Sequence, residues 1–214
     1  MQLSLKLVST NAQIGNDILL ALKSDLNECL RLAAIDSRRE MRKLFELAIT
    51  QDETWVSLHS GKLKGEFGLP SDGAIRLREI LNIWLDNIVV DYVPIRGTSV
   101  LKGSFSLCMF AKDWIDVINS NSATIITDKG QSLPWLEWLL KFGDKTIVKE
   151  YTVKLTNSVR SRSGLALMKK DVKGKWRVPL EFSGTNNNNF ITKLIDSLDN
   201  QIINIIEQAI QKQF

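Results

Sequence analysis

Apolar residues recur at helical spacing along the first quarter of the chain, among them Ile14, Ile18, Leu22, Leu26, Cys29, Leu30, Ala33, Met41, Phe45, Ala48 and Ile49. Steps of three and four place them on one helical face. Thr10-Asn11 supplies a capping pair, and the stretch from Ala12 to Thr50 holds one glycine, Gly15, and no proline. The pattern therefore predicts either one very long helix or two helices meeting near Ile35-Asp36. Ahead of it, Leu3, Leu5 and Leu7 alternate with Gln2, Ser4 and Lys6. That alternation predicts a strand over Met1 to Val8 rather than a secretion signal, and a chain made and kept in the cytosol.

Ser60 to Gly68 is glycine-rich and basic and reads as a turn. A second stripe, Ile75, Leu77, Ile80, Leu81, Trp84, Leu85 and Ile88, predicts a helix over about Ser71 to Asn87 with Ser71 or Asp72 as cap. Val89 to Ile95, interrupted by Pro94, and Ser99 to Phe110, with Gly103 marking a bulge, predict an antiparallel strand pair. A helical turn over Asp113 to Ile118, a strand over Ala123 to Thr127 and a turn at Asp128-Lys129-Gly130 follow. Pro134 then opens a helix whose Trp135, Leu136, Trp138, Leu139 and Leu140 form an aromatic wall, closed by Gly143.

Strands over Thr146 to Leu155 and Gly164 to Lys169 flank a basic loop, and a hairpin turn at Lys173-Gly174 leads to a third strand over Trp176 to Pro179. Beyond the irregular polar stretch Ser183 to Asn189, a last helix runs from Phe190 to about Gln211. Its main apolar face would satisfy a core. Ile203 and Ile210 add a second stripe seven residues apart, which marks them as a candidate helix interface. The expected fold class is α+β, with long N-terminal and C-terminal amphipathic helices packed on an antiparallel β-sheet. One domain over 1–214 is expected, with an insertion-like region at about 71–127.

Composition narrows the class. A chain of 214 residues with 44% hydrophobic and 24% charged residues can bury a core, and 12 glycines with 4 prolines are too few for a low-complexity chain. No apolar run reaches the roughly 18 to 20 residues of a membrane span, so no membrane partner is expected. Cys29 and Cys108 have apolar neighbours and no Cys-x-x-Cys partner, and are expected as buried free thiols.

Charge is unevenly spread. Residues 141 to 177 carry eleven Lys or Arg against three acids, a net +8 in a chain of net +4, which leaves −4 elsewhere. The cations Arg160, Arg162, Lys169, Lys170, Lys173, Lys175 and Arg177 fall on predicted loops and strand ends. They are the candidate subunit or DNA-channel contacts, because exposed cations are what phosphates or an acidic surface require. Trp176, within this run, is followed by Val178-Pro179-Leu180 and is expected to pack inward rather than stack on bases.

Motifs for chemistry are lacking. The single histidine, His59, has no ligand or relay partner at a useful spacing, the glycine pairs lack phosphate-loop spacing, and Ser163-Gly164 and Ser183-Gly184 lack the flanking glycine of a nucleophile elbow. Glu137, the one acid in an apolar setting, is expected at an exposed helical position. No catalytic residue, metal ligand or cofactor is assigned, and the expectation is a protein that is not an enzyme.

Several segments together carry a family likeness. They are Leu133-Pro134-Trp135-Leu136-Glu137-Trp138-Leu139-Leu140, Gly143-Asp144, Ser161 to Met168, Trp176-Arg177-Val178-Pro179, Phe182-Ser183-Gly184-Thr185 and the terminal helix. This set resembles the neck and tail-completion (head-tail connector) structural proteins of long-tailed bacteriophages. An amphipathic helix followed by Ser60-Gly61-Lys62-Leu63 is similar to the helix plus Ser/Thr-Gly-x-Leu signature of the wider tail-component family.

The resemblance implies a virion structural protein, acting as tail terminator, completion or head-closure factor. It implies a ring, six-fold in the expectation, around the DNA channel and between portal-side and tail-tube or sheath neighbours, with genomic DNA passing nonspecifically. The basic segment and the acidic remainder could supply the two complementary patches that head-to-tail ring contacts need. The alternative reading is a DNA-binding module using the basic 160–177 stretch.

Overall fold

A computed structural model describes residues 10–96, 102–109, 114–143 and 145–213. The expected strand over 1–8 lies outside them. In chain order the elements are α1 (Asn11–Gln51), α2 (Glu53–Ser60), α3 (Lys62–Phe67), α4 (Gly73–Asp86), β1 (Val89–Arg96), β2 (Lys102–Cys108), α5 (Ile115–Ile118), a 3-10 turn (Asn121–Ala123), β3 (Ile125–Ile126), β4 (Ser132–Leu133), α6 (Trp135–Lys141), β5 (Val148–Leu155), β6 (Ala166–Trp176), α7 (Phe190–Ser197) and α8 (Asp199–Gln211). The fold is α+β. Among the described residues the strands form three separate two-stranded antiparallel ribbons, β1-β2, β3-β4 and β5-β6, where one sheet was expected. Among the described residues no helix is long and apolar enough to cross a membrane.

The chain divides into two compact units. The first takes residues 1–41, 89–108 and 201–214, and the second takes 42–88 and 109–200. The region 71–127, expected as an insertion in one domain, is thus shared between them.

In the first unit, α1 runs unbroken through Ile35-Asp36. Nothing there stops a helix, and Arg39 pairs with Asp36 one turn back at 2.9 Å. Asp36 also holds the chain end through Lys212 at 2.8 Å, and these two cations hold its carboxyl below the ordinary range, Lys212 contributing most. The Cys29 thiol donates to the Gln213 carbonyl at 3.4 Å, so this cysteine is half-buried and engaged. Cys108, at the end of β2, is exposed, which corrects the expectation of a buried thiol. Its side of the ribbon simply faces away from the few apolar side chains available. The β1-β2 register slips between Val93 and Arg96, with Pro94 and Ile95 set against the single residue Gly103. The bulge is therefore on β1, opposite the glycine that predicted it.

The second unit has the larger core. Trp84, Trp135, Phe45, Leu58, Leu63, Leu77, Ile80 and Leu81 are at most 2% exposed. Aromatic rings run through it in tilted and edge-to-face pairs. Trp84 meets Trp55 at 6.0 Å and Phe190 at 6.1 Å, and Phe67 meets Trp135 at 5.9 Å. Such geometry contributes ~0.5–1.5 kcal/mol per pair beyond area burial. The Trp135 indole also donates to the Ser122 carbonyl at 3.0 Å, so the largest buried side chain of α6 leaves no donor stranded.

Two expectations fail in this unit. Ser60 to Gly68 is no turn, since Lys62–Phe67 forms α3. Leu63 and Phe67, four apart, are both buried, and the Ser57 hydroxyl accepts from the Leu63 amide at 3.0 Å. Gly68, at φ 61, ends the helix, with the Leu69 amide reaching the Lys64 carbonyl and the Gly68 amide reaching Gly65. This is a Schellman cap, which needs the left-handed conformation glycine supplies. Likewise no hairpin turn divides residues 166–176. They form the single strand β6, and Lys173-Gly174 belongs to an excursion within it.

The terminal helix is also divided, as α7 and α8, at Leu198. Its start is fixed by Asn189, fully buried, whose side-chain oxygen accepts from the Ile191 and Thr192 amides at 3.1 and 3.2 Å. The Thr192 hydroxyl accepts from the Asn189 amide in return, a reciprocal capping box. Replacing Asn189 with Ala removes the one oxygen that accepts from both amides in a dry setting and is expected to cost about 2 kcal/mol, the upper end for a lost cap. Urea denaturation of the variant beside wild type measures it.

Candidate functional site

The β5-β6 ribbon of the second unit has two chemically different faces. Directly opposed residues share a face in an antiparallel pair. Val153 opposes Met168, and Leu155 opposes Ala166. Val153, Met168 and Ala166 line a cleft of about 530 Å³ together with Phe67, Trp138 and Trp176. Gly65 of α3 admits the ribbon closely, since a β-carbon there would stand 3.2 Å from Ala166 Cβ and Leu155 Cδ2. Trp176, 5% exposed, is wedged between Phe67 at 5.9 Å and Trp138 at 5.7 Å. It packs inward as expected.

The other face is basic. Thr152 opposes Lys169 there, and Lys154 opposes Leu167. Past an irregularity the pairing resumes with Lys149 opposite Lys175 and Val148 opposite Trp176. Val148 and Trp176 line the cleft, so Lys149 and Lys175 turn to the side of Lys154 and Lys169. The irregularity sets this parity: Glu150 on β5 stands against Asp171 to Gly174 on β6. Glu150 sits at φ 63, a conformation that costs an ordinary L-residue ~1–2 kcal/mol. Gly174 is buried there, because a β-carbon would come within 2.7 Å of the Tyr151 carbonyl group.

The seven cations singled out from the sequence separate on this ribbon. Lys169 and Lys175 lie on the basic face, and Arg177 continues the alternation just past β6. Lys170 opposes Tyr151 on the cleft side, and Lys173 lies in the excursion. Arg160 is exposed in the loop before β6. Arg162 is already engaged, as its Nε donates to the Gly68 carbonyl at 2.7 Å and thereby ties the loop to the end of α3. Partial burial holds its pKa below the ordinary arginine value. Lys149 and Lys154 complete the basic face and were not singled out. Their signal was present as positive charge, but the parity that unites them depends on an extra residue no periodicity reveals.

Glu66 is the one acid at the cleft whose carboxyl is raised above its ordinary range. Burial is the main cause, opposed by the indole N–H of Trp176, which donates to Glu66 Oε2 at 2.6 Å, and by Lys62. Glu137 is half-buried and 3.9 Å from Lys141, and His59 is exposed at the end of α2. Among the described residues, no group of three or more His, Cys, Asp or Glu is placed to hold a metal ion.

Of the helix candidates, Ile203 on α8 is 52% exposed and Ile210 half-buried. The first turns of α1 expose more: Ile14 at 37%, Ile18 at 55%, Leu20 at 63% and Leu22 at 46%. No protein-family model matches the chain, and no curated protein or solved structure matches it either.

Two substitutions test this geometry. A carboxyl raised by folding favours the folded state fully below its unfolded pKa, and that contribution is lost as the pH rises through its folded value. Glu66→Gln keeps an acceptor for Trp176 and removes the charge. The variant is expected to match wild type near pH 4 and to gain on it progressively toward pH 7, as followed by denaturant unfolding across that range. Glu150→Gly relieves the left-handed strain at some cost in unfolded-chain entropy and is expected to stabilise by about 0.5–1 kcal/mol, read from the shift in denaturation midpoint.

Proposed function

We propose that the protein is a structural subunit of the neck of a long-tailed bacteriophage, one copy in a ring around the DNA channel that joins head to tail. The observation that carries this reading is the apolar surface left uncovered on the helices of the first unit. Ile18, Leu20 and Leu22 on α1 and Ile203 on α8 each leave about half of their surface or more in water. Full burial of such a side chain contributes ~1.5–3 kcal/mol, so exposed apolar side chains of this kind favour association with another surface.

The segments behind the family likeness support the reading in a second way. Trp135, Leu136, Leu139, Leu140, Trp176 and Val178 are all buried in the second unit, and the Gly143 amide donates to the Gly184 carbonyl at 2.6 Å. Leu63, the last residue of the Ser-Gly-x-Leu segment, is fully buried. These positions determine how the chain packs, so they carry likeness of structure rather than of a reaction. The mechanism on this reading is shape, ring closure and burial of helix surface against identical copies and neighbouring virion proteins.

Purified protein is expected to form closed rings that grow with concentration, visible by negative stain and weighed by mass photometry. Leu20→Glu and Ile203→Glu, made separately, are each expected to weaken association at least tenfold while far-UV circular dichroism stays unchanged. Wild-type protein that remains a monomer at tens of micromolar, together with unaltered behaviour of both variants, counts against the reading.

A further inference from the structure

We infer that the lysine face of the β5-β6 ribbon is a contact surface for the phosphate backbone of duplex nucleic acid. The inference goes beyond the assembly reading and does not depend on it. Four lysines, Lys149, Lys154, Lys169 and Lys175, stand around Thr152 on one side of two strands, and all four are exposed. Among the described residues none of them makes an ion pair. The nearest acids in the ribbon are Glu150 and Asp171, both in the irregular segment, and the Asp171 carboxylate accepts from the Lys173 amide. Glu181, beyond β6, is paired with Lys62 at 2.6 Å.

This arrangement opposes stability in the isolated protein. Lys149 lies directly across from Lys175, and like charges so placed repel. The strained residue Glu150 is what turns Lys149 to that side. A polyanion laid on the face relieves the repulsion and releases its own counterions, which is the main source of nonspecific affinity for nucleic acid.

A protein partner fits less well. Stable protein interfaces centre on aromatic or aliphatic side chains and are depleted in lysine. Here the large apolar side chains of the ribbon, Val153, Met168 and Trp176, line the cleft, and Leu167, half-buried across from Lys154, borders it too, while Thr152 lies between the lysines and Pro179 and Leu180 flank Lys175 just past the ribbon. With a rise of about 3.3 Å per residue, the lysines extend over about 15 Å of strand, enough to meet several successive phosphates. The surface differs from the 160–177 stretch seen in the sequence, because it gains Lys149 and Lys154 and loses Arg160, Arg162, Lys170 and Lys173.

The test uses the full chain and a 30-base-pair DNA duplex of arbitrary sequence, with binding followed by fluorescence anisotropy from 25 to 300 mM salt. The face variant carries Lys149→Gln, Lys154→Gln, Lys169→Gln and Lys175→Gln. A control removes four positive charges elsewhere, at Lys23, Lys129, Lys170 and Lys193. Wild type and control are expected to bind with a steep salt dependence. The face variant is expected to lose at least tenfold in affinity at 50 mM salt, and its slope of log K against log salt is expected to flatten by about 3 to 4.

The single variant Lys169→Glu is the second probe, since it alters one exposed side chain and leaves the ribbon register intact. It is expected to weaken duplex binding at least as much as Lys170→Glu on the opposite side. Equal loss in face variant and control, or no salt-dependent binding by wild type, overturns the proposal. So does a face variant that binds duplex normally and fails only to self-associate, which reassigns the lysines to an acidic surface of a neighbouring copy. Ring formation is weighed on the same samples, so a failure of assembly is read separately from a failure of DNA binding.

Discussion

The wedge of Trp176 between Phe67 and Trp138 governs what the second unit can present to its surroundings. A lone two-stranded ribbon is marginal in water and gains permanence only by packing one face against something apolar. Here α3 and α6 provide that support, and the last residue of β6 is its keystone, with rings 5.9 and 5.7 Å away and its indole N–H on Glu66. A carboxylate drawn into a partly dry cleft costs stability, but it satisfies the one polar atom that the indole would otherwise bury. Because the apolar face is committed to the cleft, the opposite face is left to solvent, and its chemistry is set by what the alternation of the two strands delivers there.

That alternation is where a local irregularity has long-range consequences. In an unbroken ladder, side chains change sides at every residue, so Lys149 and Tyr151 would share a side. The extra residue Glu150 shifts the parity by one. Tyr151, Val153 and Val148 all come to the cleft, and Lys149 joins Lys154 on the other side. The four-residue excursion at 171–174 makes the matching adjustment on β6, and only glycine fits at 174 against the Tyr151 carbonyl group. Both departures from regular structure act on the same outcome: Val148, Tyr151, Val153, Met168 and Trp176 line the cleft, with Lys170 exposed beside Tyr151, and Lys149, Lys154, Lys169 and Lys175 gather on the other side.

Much of this was legible where the pattern is long and local. The helical course of residues 11–51, though not its running unbroken through Ile35-Asp36, the stripe of α4, the antiparallel pairing of β1 with β2 and the inward wall of α6 follow from spacing alone. What escaped the sequence depended on partners far along the chain. Three glycines within Ser60 to Gly68 argue for a turn by local propensity, yet Gly61 precedes α3, Gly65 lets it approach the ribbon and Gly68 caps it. Lys173-Gly174 carries the signature of a hairpin, but β6 continues through it because β5 offers pairing on both sides. The site was legible to a similar degree. The excess of positive charge over 141–177 was plain, whereas its division into a basic face, a cleft rim and an arginine engaged at Gly68 required the register.

The two surfaces differ in the physics they use, and this decides how they can operate together. Burial of Leu20 or Ile203 against another copy is non-directional, nearly independent of salt and strengthened by warming from low temperature. Lysines meeting phosphates act through counterion release, which weakens by orders of magnitude between low and physiological salt. On the proposed reading, a ring closed by helix burial would therefore hold its shape under conditions in which each copy's hold on a polyanion is loose. Loose, repeated and sequence-independent contact suits a surface past which a duplex must move, because every phosphate offers the same charge and none traps the strand. On the proposed reading, the polar and charged character of the lysine face, with Leu167 half-buried, would leave little apolar surface to be dehydrated on contact and so little to resist sliding.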